Sequence, residues 1–145
     1  MPGALIPSPE FPGWHRWCVG DPGGFNQAVL GEMLARLDDD VTARVRLTPA
    51  PHHANLNGLI HGGALMAFID TAMFAGATLL TGRAHQNGVT VDAQIQFLAP
   101  GKLDRPLDAL VERTHETGRL LFIRGMLVQG EDRVASFTGL LRKIG

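Results

Sequence analysis

Between Asn55 and Asp70 the chain gathers the side chains best equipped for chemistry: an amide at Asn55, the run His61-Gly62-Gly63, and a carboxylate at Asp70. Asp70 stands inside a nearly unbroken apolar stretch, and its neighbours Met66, Ala67, Phe68, Met73 and Phe74 offer no charge partner. An ionised carboxylate in such surroundings is costly unless it is paired or hydrogen-bonded. Held away from water, it can serve as a base or a nucleophile. The plainer reading is an exposed helix edge, or a helix face that meets a basic residue from elsewhere. His61-Gly62-Gly63 opens the same stretch. A helix start presents unpaired N–H groups and a positive dipole end, and glycine lets a ligand come close. That combination suits the stabilisation of an oxyanion on a carbonyl substrate. Taken alone it is a glycine-rich helix start. Asn55 could turn its amide into the same pocket, though alone it is an ordinary turn residue.

Helical geometry limits how these groups can cooperate. Gly62 and Asp70 are eight residues apart, so at about 1.5 Å per residue they lie roughly 12 Å apart along one axis. No single carbonyl reaches both groups on one helix. If both serve one reaction, the carboxylate comes from a second copy of the chain. Two such helices, antiparallel about a two-fold axis, would set each Asp70 beside the other's Gly62. The expectation is an obligate homodimer with two shared sites.

The elements that must carry these residues are legible from hydrophobic period. Gly58 to Leu80 is long and apolar enough to cross a membrane, but Asp70 near its middle opposes insertion. With strand patterns on both flanks, a central buried helix is expected. Before it, Met33, Ala35 and Leu37 alternate with polar residues, and Val41, Ala43, Val45 and Leu47 do so again beyond Asp38-Asp39-Asp40. A short helix is expected at Phe25 to Leu30. After a loop from Thr81 to Asn87, Val89 to Phe97 alternates, with Val89, Val91, Ala93, Ile95 and Phe97 as the buried face and Thr90 on the opposite one. Further strands are expected over Pro106 to His115, Leu120 to Gln129 and Val134 to Ile144. Five to six antiparallel strands around one helix make an α+β domain at 25–145. Residues 1–24, crowded with proline and glycine between Phe11, Trp14 and Trp17, read as an irregular extension whose aromatics pack somewhere.

Composition narrows the function classes. At 145 residues, with 45% apolar and 19% charged residues, the chain can bury a core. Thirteen basic and fourteen acidic residues give a net charge of −1, so no basic surplus drives nucleic-acid binding. The first residues lack a basic start followed by an apolar run, so a soluble cytoplasmic protein is expected. One cysteine, Cys18, excludes an internal disulfide framework and reads as an inert thiol. His52 and His53 adjoin and lie near His61, but adjacent histidines usually point apart and no zinc spacing accompanies them, so no metal is expected.

Asn55, Gly58, His61-Gly62-Gly63 and Asp70, together with GVTVDAQIQFLAP from Gly88 to Pro100, resemble the hotdog-fold acyl-CoA thioesterases of the phenylacetate-degradation type. The resemblance extends over about Phe25 to Ile144 and implies a long central helix wrapped by a curved antiparallel sheet. It implies dimers joined sheet to sheet, often paired again into tetramers. In that light the substrate is an aryl- or medium-chain acyl-CoA, with coenzyme A part of the substrate and no separate cofactor. Asp70 is the catalytic carboxylate, and the Gly62 N–H polarises the thioester oxygen. His61 and Asn55 help fix the substrate, the attacking water or the leaving sulfur. Thr90 occupies a position near the reacting centre. Gly63, Arg83, Gly118 and Arg119 are candidates for holding the coenzyme, while Lys102, Arg142 and Lys143 are scattered cations able to meet its phosphates. Two other functions fit the same residues: a hotdog hydratase or dehydratase acting on acyl thioesters, and a non-catalytic acyl-CoA binding module.

Overall fold

The computed structural model describes residues 5–17, 19–85 and 87–144; Cys18 lies outside the described residues. One antiparallel sheet carries strands β1 (Leu5–Pro7), β2 (His15–Trp17), β3 (Met33–Leu37), β4 (Thr42–Leu47), β5 (Val89–Phe97), β6 (Leu107–Glu116), β7 (Leu120–Gln129) and β8 (Asp132–Arg142). Their order across the sheet is β1-β2-β3-β4-β6-β7-β8-β5. A single long helix, α1 (Gly62–Thr81), lies against the middle of the sheet on β3, β4 and β6. The sheet has eight strands rather than five to six. The difference comes from the leader, where β1 and β2 extend the sheet through the pairs Leu5↔Trp17 and Trp17↔Met33. Residues 5–17 are therefore part of the sheet rather than an irregular tail. Trp17 is buried, and Trp14 stacks under the guanidinium groups of Arg36 (4.4 Å) and Arg46 (4.9 Å).

Period decides the faces of the central strands. In β4, Ala43, Val45 and Leu47 are buried while Arg44 and Arg46 stand on the other face, where both grip the buried Asp108 at 2.7 Å. The apolar stretch long enough to cross a membrane is the core helix: Phe68, Ile69, Ala72 and Met73 are fully buried against the sheet. At Gly76 the helix comes so near β6 that a Cβ there would lie 2.6 Å from Val111. α1 starts at Gly62 rather than Gly58, because Asn55 closes a turn and Ile60 bridges back to Ala54. It ends at Gly82, whose φ of 68° admits glycine readily and whose N–H closes on the Thr78 carbonyl. The short helix over Asn26–Leu30 forms as a single π-type turn.

β5 departs most from its pattern. Its sequence alternates, yet the expected buried face is open: Val89, Val91 and Phe97 are each about half exposed and only Ile95 is partly buried. The strand sits at the end of the sheet, paired with β8 and touching α1 at few points, so among the described residues much of its surface is left uncovered. A register shift between Thr90 and Asp92 places a bulge at Val91 and breaks the strict alternation there. Thr90 accordingly faces the helix, not away from it.

Candidate active site

The candidate residues occupy two different parts of α1. At its start, the backbone N–H of His61 donates to the His53 carbonyl at 2.7 Å and that of Ile60 to Gly101 at 2.9 Å, fixing where the helix begins. The His61 side chain caps the helix: its Nδ1 accepts from the Gly63 N–H at 2.8 Å. Nδ1 is thus an acceptor and Nε2 is the nitrogen available to donate. Gly63's amide is engaged by its own neighbour, whereas the Gly62 N–H has no partner among the described residues. Asn55 uses its Oδ1 to accept from the amides of Asn57 (2.8 Å) and Leu59 (3.1 Å), so its NH₂ is the part left to meet a ligand. Asn55, Gly62 and Leu65 share a cavity of about 370 Å³ with Phe97 and Leu98 of the strand end and with Pro100 and Gly101.

Two turns on, Asp70 is exposed in the single chain rather than held dry. Its neighbours on the helix are apolar, as the sequence shows, but the carboxylate escapes them by reaching the surface. There the Thr90 hydroxyl donates to Asp70 Oδ1, joining helix and edge strand. A second cavity of about 190 Å³ opens beside Asp70, lined by Trp17, Val19, Asn26, Thr71, Phe74 and Gly88. No residue lines both cavities. Gly62, Met66 and Asp70 stand four residues apart and form one stripe of α1, with Met66 exposed. The stripe and the uncovered β5 are contiguous through Asp70–Thr90.

The candidate coenzyme contacts divide between two regions. Arg83, Gly118, Arg119 and Lys143 gather where α1 ends and β6 turns into β7, whereas Gly63 belongs to the helix start. Glu116, which the sequence did not single out, organises the first region: it accepts from Lys143 and Arg113 at 2.8 Å each and from Arg83. The Lys143 ammonium, then Arg113 and Arg83, hold its carboxyl below the ordinary carboxylate value despite some desolvation. Three cations share one carboxylate, so the patch keeps a positive excess. Arg119 adds an exposed side chain that pairs with nothing among the described residues. His52 and His53 converge instead of pointing apart. A tight turn over Pro51–His53 brings both Nε2 atoms to the Val29 carbonyl, at 2.8 and 2.5 Å. His53 Nδ1 also accepts from Ala50 N, which makes this pair a structural clasp between segments. Among the described residues, no three histidine, cysteine or acidic side chains cluster to hold a metal ion.

The thioesterase superfamily matches this chain over residues 57–136. Comparison with curated protein sequences gives no match. Among solved structures, the PaaI protein of the Escherichia coli phenylacetic acid degradation operon is 26% identical, with a TM-score of 0.69 over 85% of this chain and 86% of its own. A conserved protein of Pseudomonas aeruginosa is 25% identical, with a TM-score of 0.66 over 83% of this chain and 94% of its own. A hypothetical thioesterase of Streptococcus pneumoniae, solved with coenzyme A, shares the fold at 22% identity, with a TM-score of 0.67 over 81% of this chain and 90% of its own.

Proposed function

The chain belongs to the thioesterase superfamily, and from that premise we propose that it hydrolyses the thioester of an aryl- or medium-chain acyl-CoA, giving the free acid and coenzyme A. The observation that carries the reading is the pairing of Thr90 with Asp70, which stands on the same helix stripe as the Gly62 amide, unpartnered among the described residues. A carboxylate and an oxyanion donor are the two groups that hydrolysis of an activated carbonyl needs. They lie in separate cavities along one helix, so they meet at one substrate only when a second copy supplies the other half.

In the proposed dimer, two α1 stripes run antiparallel and the two β5 edges join, covering the apolar residues left open on each chain. The thioester oxygen accepts from the Gly62 N–H of one subunit. Asp70 of the other acts on the thioester carbon, either by taking a proton from the attacking water or by attacking the carbon directly to form an acyl anhydride that water then cleaves to the free acid. The carbonyl carbon gains oxygen, the C–S bond breaks, and the thiolate leaves to be protonated as coenzyme A thiol. The protonated Nε2 of His61 and the NH₂ of Asn55 are donors positioned beside Gly62 for the substrate or the departing sulfur. Thr90 holds the carboxylate in place. The cationic patch of Arg83, Arg119 and Lys143, with Gly118 at its turn, suits the phosphates of coenzyme A, the ligand of the Streptococcus pneumoniae protein.

Thiol release from a panel of aryl- and alkyl-CoA esters tests the reading. Wild-type turnover should collapse by about 10²-fold or more in Asp70→Asn, since general base catalysis alone contributes 10²–10⁴-fold. No release from any ester, or undiminished release in the variant, would overturn it.

A further inference from the structure

We propose that the N-terminal segment is a working part of the site: Trp17 and Val19, with Asn26, wall the cavity beside Asp70 and limit the acyl group to about one six-membered ring or a chain of similar bulk. The proposal rests on the thioester reading above, and names which residues of this chain set the size of its substrate.

Three of the seven residues that line the cavity lie upstream of the stretch that the superfamily matches. Trp17, Val19 and Asn26 precede residue 57, while Asp70, Thr71, Phe74 and Gly88 fall within it. The upstream wall is built into the sheet. Trp17 is only 3% exposed and sits between Leu5 of β1 and Met33 of β3. The Gln27 amide donates to the Gly20 carbonyl at 3.0 Å, tying the turn after Val19 to the helical turn that carries Asn26. Thr71, next to Asp70 on α1, donates its hydroxyl to Asn26 at 3.3 Å and so fastens that turn to the catalytic helix.

The chemistry of the walls selects the acyl end of the substrate. Trp17, Val19 and Phe74 form the apolar part of a lining that also carries the polar Asn26, Thr71 and Asp70; the Thr71 hydroxyl and Asn26 Oδ1 are spent on each other, and the cations that would meet the phosphates of coenzyme A lie outside this lining. A substrate carbonyl at Asp70 therefore directs its acyl group inward. The volume sets the limit: about 190 Å³ compares with the roughly 150 Å³ of a cavity that accepts benzene, and falls below the 300–1,000 Å³ of ordinary drug-sized pockets.

The test is a graded series of acyl-CoA esters, from acetyl through butanoyl and one-ring aryl to decanoyl. Turnover is read in wild type, Trp17→Leu and Val19→Phe; the Kd of each ester is read for the same changes in an Asp70→Asn background. Trp17→Leu should raise the decanoyl-to-butanoyl ratio of kcat/KM about tenfold or more, and Val19→Phe should lower the one-ring-to-acetyl ratio by a similar factor. One methylene in an apolar pocket is worth roughly 10–200-fold. The Kd ratios should shift the same way. Should Trp17→Leu fail to fold, Val19→Phe alone decides, because Val19 is only partly buried. Loss of rate by one common factor across all esters, with Kd ratios unmoved, would overturn the proposal and leave the hydrolysis reading intact. Shifted Kd ratios without any wild-type turnover would overturn hydrolysis and leave the wall intact.

Discussion

Asp70 escapes the apolar surroundings of its helix by lying on a stripe that reaches the surface, and Thr90 supplies it with a hydrogen bond from β5. A hydrogen bond to a charged group contributes about 1.5–3 kcal/mol, so its loss should be felt in the rate. Thr90→Val should lower kcat by about ten- to a hundredfold, while Thr90→Ser, which keeps the hydroxyl, should stay near wild type. Equal losses in both variants would remove Thr90 from the positioning role. Asp70 was legible because a lone acid breaks an apolar run, and Gly62 because glycine at a helix start leaves amides free. Thr90 was misdirected by a clean alternation that a bulge interrupts, which no periodicity reports. Glu116, Arg113 and Asn26 gave no local signal: they come from segments far apart in sequence and acquire meaning only where strands and helix converge.

The position of α1 on the sheet decides where Gly62 and Asp70 point, and at Gly76 the helix lies close against Val111 of β6. A methyl there would press into Val111 at 2.6 Å, and overpacking of this kind costs about 1–3 kcal/mol. Gly76→Ala should therefore lower the melting temperature despite its better intrinsic helix propensity; an unchanged or raised Tm would show that β6 yields freely. The end of α1 carries a pH dependence as well. His85 is buried, bonds Thr81 Oγ1 at 2.8 Å, and has its pKa lowered first by burial and then by the Arg83 charge. With a folded pKa below the unfolded value of 6.5, the unfolded chain takes up a proton that the folded one refuses. Stability is full above that value and is lost as pH falls through the folded pKa. Glu116, also lowered, adds its loss only beneath its ordinary 4.5. Melting temperatures at pH 7.5 and 5.5 should therefore diverge less in His85→Gln than in wild type. The main elements were readable because their hydrophobic periods hold over whole strands and one helix. β1 and β2 were not, since three-residue strands set among prolines show no period and exist by pairing with β3.

At the scale of the whole molecule, the proposed division of one active site between two chains has a consequence that no single-chain site shares. Gly62 is the first residue of α1, where proline is tolerated because its missing N–H has no helical partner. His61 before it is already extended, with φ −60° and ψ 136°, as a residue preceding proline prefers. An added Cβ at Gly62 would find only Phe97 at an ordinary 3.9 Å. Gly62→Pro therefore deletes the proposed oxyanion donor while leaving the helix in place, and should cost about 10²–10³ in kcat. Asp70→Asn deletes the other half. Each variant alone should be nearly inactive, yet a heterodimer of the two would rebuild one intact site from the Gly62 of one chain and the Asp70 of the other. Random pairing of equal amounts makes half the dimers mixed, each with one good site in two, so co-expression should recover about a quarter of wild-type activity. Sedimentation of the mixture should report the dimer, or the tetramer that dimers of this kind would form by pairing again. Dimers without recovered activity would place both groups' work within one chain, contrary to the 12 Å or so that separates them along α1.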